Sequence, residues 1–88
     1  MKTRYEFINF IKTKDKPKTS VWSCRNNRGG EELGIIEWYP AWRQYCYFPT
    51  VQAVYSVGCL EDINAFIGQL EAERKQPDQA EMFGDMGS

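Results

Sequence analysis

The sequence predicts an α+β domain in which a curved antiparallel sheet of four or five strands packs against one C-terminal helix. Three observations predict it. Short segments rich in aromatic and β-branched residues follow one another up to residue 57, separated by turn-forming residues. From residue 59 onward, apolar residues recur instead at the spacings of an amphipathic helix. The 88 residues suffice for one small core, which we place at residues 1–76, followed by an acidic flexible tail at 77–88.

The first two strands are predicted on either side of a polar turn. Residues 4–14 fit neither the strand period nor the helix period cleanly, and their aromatic and β-branched content favours a strand, with a helix as the open alternative. Residues 19–25 alternate well enough to form a strand that places Trp22 and Cys24 on one face. The asparagines and glycines of residues 26–30 then favour a tight hairpin or a short bulged loop.

Three further strands are expected at residues 33–39, 44–48 and 51–57. Gly34 lies inside the first of them, which indicates a bulge or a close backbone approach, with a large ring of a neighbouring strand lying over the glycine. A proline follows each of the first two segments. Because proline is unfavourable in a central strand, we expect each strand to end there. The sheet therefore has four strands, or five if the last segment joins it.

The helix is predicted from residue 59, with its apolar stripe at positions 60, 63, 66, 67 and 70. Gly58 serves as the expected N-cap, and Glu61 and Asp62 are expected in the first turn, where the helix dipole favours negative charge. Pro77 stops the helix.

Composition argues against most catalytic and metal sites. The chain has no histidine, and its cysteines at positions 24, 46 and 59 are widely spaced without a Cys-x-x-Cys pair. We therefore expect three reduced cysteines, no metal and no cofactor. No apolar stretch is long enough for a membrane span, and the N-terminus lacks the apolar region of a signal peptide, so we expect a cytoplasmic protein without membrane contact.

The same composition predicts a protein that is not an enzyme. Histidine is the commonest general base and the usual partner of a nucleophilic cysteine, and no glycine-rich phosphate loop is present. Carboxylates remain at Glu31, Glu32 and Glu37, but acids close together on a strand and loop are usually solvated.

Charge is unevenly distributed along a chain of net charge −1. Residues 1–28 contain eight Lys or Arg and two acids, whereas residues 61–88 contain seven acids and two bases. The basic part could contact phosphates, and the acidic part could repel or mimic them. The alternative is that the two parts lie near each other and neutralise their charges, or that each is solvated separately.

Six aromatic residues fall within residues 38–48. Strand alternation prevents all of them from entering one core. If Trp38, Cys46 and Phe48 line the helix-facing side of the sheet, the tyrosines of the run lie on the other face. The expected partner-binding set then consists of Trp42 as anchor, Arg43 as polar contact, and Tyr39, Tyr45 and Tyr47 around them. In the alternative, Trp42 folds back over the sheet and Arg43 stacks on it.

The function expected from these observations is a non-enzymatic interaction module that binds a protein through its aromatic surface, with a second copy of the chain as one candidate partner. The alternative is a nucleic-acid or nucleotide binder that stacks bases on the same rings. The residues expected to contact phosphates in that alternative are Lys12, Lys14, Lys16, Lys18, Arg25 and Arg28.

The segments LGIIEWY (33–39), WRQYCYFP (42–49) and GCLEDI (58–63), followed by Phe66 and Ile67, resemble short hypothetical proteins of bacterial and phage genomes. The resemblance covers residues 19–70 and implies a free-standing small protein of prokaryotic or phage origin. It carries no activity, so it assigns no functional residue. A phage origin would favour a protein that binds and inhibits a host factor.

Overall fold

The structure, a computed structural model, describes residues 1–75. Its elements are β1 (Ile8–Asp15), β2 (Ser20–Asn26), β3 (Glu32–Tyr39), β4 (Gln44–Pro49) and α1 (Val57–Lys75). The strands form one antiparallel sheet in the order β1-β2-β3-β4. The α+β prediction is confirmed, with four strands. The expected tail at 77–88 and the domain boundary at residue 76 lie outside the described residues.

The core lies between α1 and one face of the sheet. Phe66 of α1 is fully buried, stacks in parallel on Phe10 with ring centroids 4.1 Å apart, and meets Trp22 edge-on at 5.0 Å. Enclosed rings of this size supply much of the buried apolar area that a small domain needs. The other buried members of the core are Ile8, Cys24, Leu33, Ile36, Tyr45, Ile63 and Leu70. Trp22 and Cys24 thus share the core face, as the alternation in β2 predicts.

The N-terminal residues fold back along β1. The amide of Phe10 donates to the carbonyl of Thr3, and the amide of Tyr5 donates to the carbonyl of Ile8. The prediction that this segment forms a strand and not a helix is confirmed, but the strand begins at Ile8 and not at residue 4. The returning chain covers the outer edge of β1 at its start, which satisfies backbone groups that an edge strand would otherwise expose.

Gly34 permits a close approach in the middle of the sheet. A Cβ atom at this position would lie 2.5 Å from Oη and 2.6 Å from Cζ of Tyr47 on β4, so only glycine leaves room for that ring. The pairing of β2 with β3 also shifts register beside this position. The prediction of a large ring lying over Gly34 is confirmed.

The predicted fifth strand at 51–57 is wrong. Residues 50–56 form a turn and a loop. The backbone amide and the hydroxyl of Thr50 both donate to the carbonyl of Leu33, at 2.9 Å and 3.2 Å, and the Tyr55 hydroxyl donates to the same oxygen. These bonds turn the chain back under the sheet, so its valines have no strand to pair with.

The start of α1 also differs from the expectation. Ser56 is the N-cap, because its hydroxyl oxygen accepts a hydrogen bond from the amide of Cys59 at 3.1 Å. The helix begins at Val57, so Gly58 lies inside it, and Glu61 and Asp62 fall beyond its first turn. The N-cap and first-turn predictions are therefore wrong. The serine hydroxyl accepts a hydrogen bond from a helix amide, and glycine has no side chain that could do so.

Within residues 1–75, no helix is long and apolar enough to cross a membrane. The three cysteines are free thiols, with Cys24 buried and the other two half-buried.

Candidate interaction surface

Cross-strand pairing divides the aromatic run between the two faces of the sheet. Residues directly opposite each other in an antiparallel pair share a face. Tyr45 lies opposite Trp38 and Tyr47 lies opposite Ile36, so both tyrosines face the helix.

The sequence interpretation had β4 in the opposite phase, with Cys46 and Phe48 toward the helix, and this assignment is wrong. Cys46 lies opposite Glu37, and Phe48 lies opposite Ile35, on the outer face. A shift of one residue exchanges the two faces of a strand, and every residue from Tyr45 to Phe48 is apolar enough for either face.

Tyr45 ties three elements together. Its hydroxyl accepts a hydrogen bond from the amide of Ser20 at 3.2 Å, and its own amide donates to the Glu71 carboxylate of α1 at 2.6 Å. Its ring meets Trp38 edge-on, with centroids 5.6 Å apart. The side chain is buried. Tyr45 therefore acts within the fold and has little surface to offer a partner.

Tyr47 belongs to a network of buried polar groups. Its hydroxyl lies 2.9 Å from that of Tyr55, which donates its proton to the Leu33 carbonyl, so Tyr47 is the donor to Tyr55. Burial, and then this hydrogen bond, raise the pKa of Tyr47. Burial likewise raises the pKa of the nearby Cys24 thiol to about 11. Both groups are therefore held in their neutral forms at physiological pH.

The outer face carries an exposed aromatic cluster, which we define as Tyr39, Trp42 and Phe48. Tyr39 meets Trp42 edge-on at 5.1 Å and Phe48 at 6.1 Å between ring centroids. Trp42 is 65% exposed at the tip of the β3–β4 hairpin, and the other two rings are more than one third exposed. Phe48 was missing from the expected set because of the phase error in β4.

The hairpin turn fixes the position of Arg43. The amides of Trp42 and Arg43 both donate to the carbonyl of Tyr39, at 3.1 Å and 2.8 Å, and Arg43 adopts a left-handed conformation with φ 55°. In the residues that the structure describes, the arginine that stacks on a tryptophan is Arg74, whose guanidinium lies 4.1 Å from the Trp38 ring centroid. The turn thus presents Trp42 and Arg43 side by side at its tip.

A row of residues crosses the outer face from one edge strand to the other. Ile11, Ser23, Ile35 and Phe48 lie opposite one another in successive strands. Ser23 is fully buried despite being polar, and its hydroxyl donates to the Glu32 carboxylate at 2.6 Å. Ile11 and Phe48 are exposed at the two ends of this row, and between them the side chains of Glu32 and Arg25 bond to Ser23.

The six residues of the nucleic-acid alternative lie at two ends of the sheet. In an antiparallel sheet the β1–β2 and β3–β4 turns share one end, which we call the head, and the β2–β3 turn and residues 50–56 lie at the other, the foot. Of these six residues, Lys12, Lys14, Lys16 and Lys18 lie toward the head, and Arg25 and Arg28 lie at the foot. Lys12, Lys16 and Lys18 line a cleft together with Tyr45, Leu70 and Arg74, on the side of the sheet that faces the helix. The lysines therefore share one end of the sheet with Trp42 but do not surround it, and the two arginines lie at the other end.

Several of these cations already have partners. Lys12 pairs with Asp15 at 3.1 Å, and Lys16 pairs with Glu37 at 3.2 Å. Arg25 donates to the Ser23 hydroxyl at 3.0 Å. These contacts reduce, but do not remove, the positive charge available at the head.

The carboxylates considered for chemistry each have their own partner. Glu31 and Glu32 line one cleft of about 450 Å³ at the foot. Glu32 accepts from Ser23, and Glu31 accepts from the Asn26 amide group at 3.3 Å. Within residues 1–75, no three His, Cys, Asp or Glu side chains converge in a way that would hold a metal ion.

A second exposed apolar region lies at the foot. Val51 is 97% exposed and Val54 is 88% exposed, and Val57 and Leu60 continue the series into α1 at spacings of three. Beside Val54 lies a groove of about 460 Å³, which we call the foot groove. Its apolar lining is Phe7, Ile8, Leu33, Val54 and Cys59. Sequence reasoning missed this region, although the spacing of three from position 51 to 60 was a visible signal.

The fold and the open aromatic face define the class: a small α+β protein with exposed apolar surface at both ends of its sheet. The uncharacterized 9.3 kDa protein of Acholeplasma phage L2 is 35% identical over 72 residues, which cover 81% of this chain and 92% of that protein. The chain belongs to the same family as this phage protein. No family model matches the chain, and no solved structure matches it.

Proposed function

We propose that this protein is a non-enzymatic interaction module that acts in the cytoplasm and binds another protein through the aromatic cluster. The observation that carries the proposal is the exposure of Trp42 at the tip of a hairpin whose other rings support it. Small monomers rarely leave such apolar surface uncovered, and tryptophan is enriched among residues that dominate binding energy.

The edges of the sheet support a partner that docks on the face and the hairpin tip. The start of β1 is covered by the returning N-terminal residues, and the rest of this strand carries lysines, which oppose strand addition. On β4, the Tyr45 amide is taken by Glu71, and Pro49 has no amide to donate. Addition of a further strand is therefore unfavourable at both edges.

In this proposal Trp42 is the anchor, Tyr39 and Phe48 surround it, and Arg43 makes the polar contact. Arg43 is exposed next to Trp42 in the hairpin turn, so the best-fitting partner has an apolar groove with a carboxylate at its rim. Tyr45 and Tyr47 contribute indirectly, because they hold β4 in place from the other face. The family's phage member makes a bacterial host protein one source of partners, and a second copy of the chain is the other.

The test uses the immobilised chain in an Acholeplasma lysate supplemented with an untagged second copy. Bound proteins are identified and then titrated in pure form against wild type, Trp42→Ala and Asn64→Ala, a control on the exposed surface of α1. We expect Trp42→Ala to weaken binding at least about tenfold, as truncation of a central tryptophan does. The proposal fails if Trp42→Ala binds like wild type or if nothing binds.

Nucleic-acid binding is the second candidate, and it is favoured by the grouping of four lysines at the same end as Trp42. Bases would stack on Trp42 and Tyr39 while the lysines contact phosphates. Binding of a fluorescent single-stranded oligonucleotide would then fall steeply between about 50 mM and about 200 mM salt. Absence of binding at the lower salt concentration rules this candidate out.

A further inference from the structure

We infer that the partner of the aromatic cluster is the foot groove of a second copy of this chain, so that the protein associates head to tail. The inference rests on the proposed function, because it names the occupant of the same surface. It goes beyond that function by assigning a role to the foot groove.

Shape supports the pairing. Trp42 projects from the head on a tight hairpin turn, whereas the foot has a concave groove of about 460 Å³ lined by Phe7, Leu33 and Cys59 among others. Val54 stands at the rim of this groove, 88% exposed, with Val51 and Val57 beyond it. A protruding ring and an apolar groove on the same molecule can contact each other only between two copies, because they lie at opposite ends of the sheet.

Charge supports it as well. The exposed cations at the head are Lys12, Lys14, Lys16, Lys18, Arg43 and Arg74, and the acids at this end are Asp15, Glu37, Glu71 and Glu73. The exposed acids at the foot are Glu6, Glu31, Glu32 and Glu61. The cations near the foot are Arg4, Arg25 and Arg28, of which Arg28 lines the foot groove, so the four acids outnumber them by one. Head against foot therefore brings opposite charges together, whereas head against head would bring lysines together.

The geometry has a consequence for assembly. A contact between two different surfaces of the same chain leaves one head and one foot free in every complex, so it continues into a ring or an open filament. A contact between two identical surfaces would instead stop at a dimer.

The first measurement is the molar mass of the full chain in solution from micromolar to millimolar concentration. We expect the mass to rise beyond that of a dimer with concentration and to fall with added salt, since part of the attraction is between exposed charges. A mass that stays that of a monomer throughout overturns the inference. In that case, binding of an identified lysate protein that depends on Trp42 would still support the proposed function. The proposed function fails as well only if neither self-association nor such binding is found.

The decisive measurement is a mixing experiment with two variants that each block one surface. Trp42→Ala removes the head anchor, and Val54→Glu places a charge at the rim of the foot groove; both residues are mostly exposed, so the fold is retained. Each variant alone should be a monomer. Their mixture should form a dimer and nothing larger, because one intact foot meets one intact head.

A second pair keeps the result independent of these two substitutions. Lys18→Glu should weaken self-association at least about tenfold, as should Glu31→Lys. Mixing the two should restore association beyond a dimer, because the exchanged pair and the original Lys18–Glu31 pair are both attractive. Failure of both mixtures to associate, while wild type associates, overturns the head-to-tail inference.

Discussion

The two faces of the sheet hold different members of the aromatic residues at 38–48, and these members have different environments. On the helix face, Tyr45 and Tyr47 each hold fixed polar partners in another strand, the loop or the helix. On the outer face, the aromatic cluster is held by ring-to-ring contacts at the β3–β4 hairpin. A buried tyrosine is therefore recognised by the hydrogen-bond partner of its hydroxyl, because a buried polar group without a partner costs free energy. Ring density alone does not separate the two uses.

The helix face should lose the most stability on substitution, and Phe66→Ala should have the largest effect. The ring stacks on Phe10 and meets Trp22, so its removal leaves a cavity at the centre of the core. We expect the free energy of unfolding to fall by about 3–5 kcal/mol, measured by urea denaturation. A loss below about 1 kcal/mol would mean that the helix does not seal this face.

Gly34→Ala should rank next. The new methyl group would collide with the Tyr47 ring and lie 2.8 Å from the carbonyl oxygen of Phe48, which is backbone and cannot move away alone. We expect a loss of about 1–3 kcal/mol. Gly68→Ala is the matched control, because nothing lies near its Cβ position, and alanine there should stabilise the helix by up to about 1 kcal/mol. Equal effects at the two glycines would contradict the close approach of Tyr47.

Alkaline pH should lower the free energy of unfolding through groups buried on the helix face. Burial raises the pKa of Cys24 from an ordinary 9.0 to about 11, so between these values the unfolded chain loses a proton that the folded chain keeps. The stabilising contribution is therefore complete below pH 9 and is lost as the pH rises toward 11, at up to about 1.4 kcal/mol per pH unit. Tyr47 adds to this slope above pH 10, its ordinary pKa.

Urea denaturation across this range, with Cys24→Ala and Tyr47→Phe, checks the assignment. Cys24→Ala should flatten the slope from about pH 9, and Tyr47→Phe should flatten it only from about pH 10. An unchanged slope in both variants would show that other groups cause the alkaline loss.

The part of this comparison that the sequence could predict follows from how residues alternate. Trp22 and Cys24 are separated by polar or smaller neighbours in β2, so the sequence predicts which face of that strand is buried. Gly34 likewise predicts that a ring approaches the backbone closely. In β4 the consecutive residues 45–48 are all apolar, so no polar position fixed the phase, and the turn set it instead. The sequence predicts a strand at 51–57 where the structure has a loop, because β propensity does not reveal that three donors converge on the Leu33 carbonyl.

The smallest effect on stability is expected at Trp42, and this substitution tests most directly whether the aromatic cluster lies outside the folded core. The side chain is 65% exposed and contacts Tyr39 alone among the described ring pairs, so Trp42→Ala should change the free energy of unfolding by no more than about 1 kcal/mol. Tyr45→Ala is the matched substitution on the helix face, and it should cost about 3 kcal/mol or more because a buried ring and its hydrogen bonds are lost. Binding should show the reverse preference, with Trp42→Ala abolishing partner contact in a protein whose near-ultraviolet circular dichroism still reports a packed core. If Trp42→Ala unfolds the chain as Tyr45→Ala does, the aromatic cluster is part of the fold, and the division between the two faces does not hold.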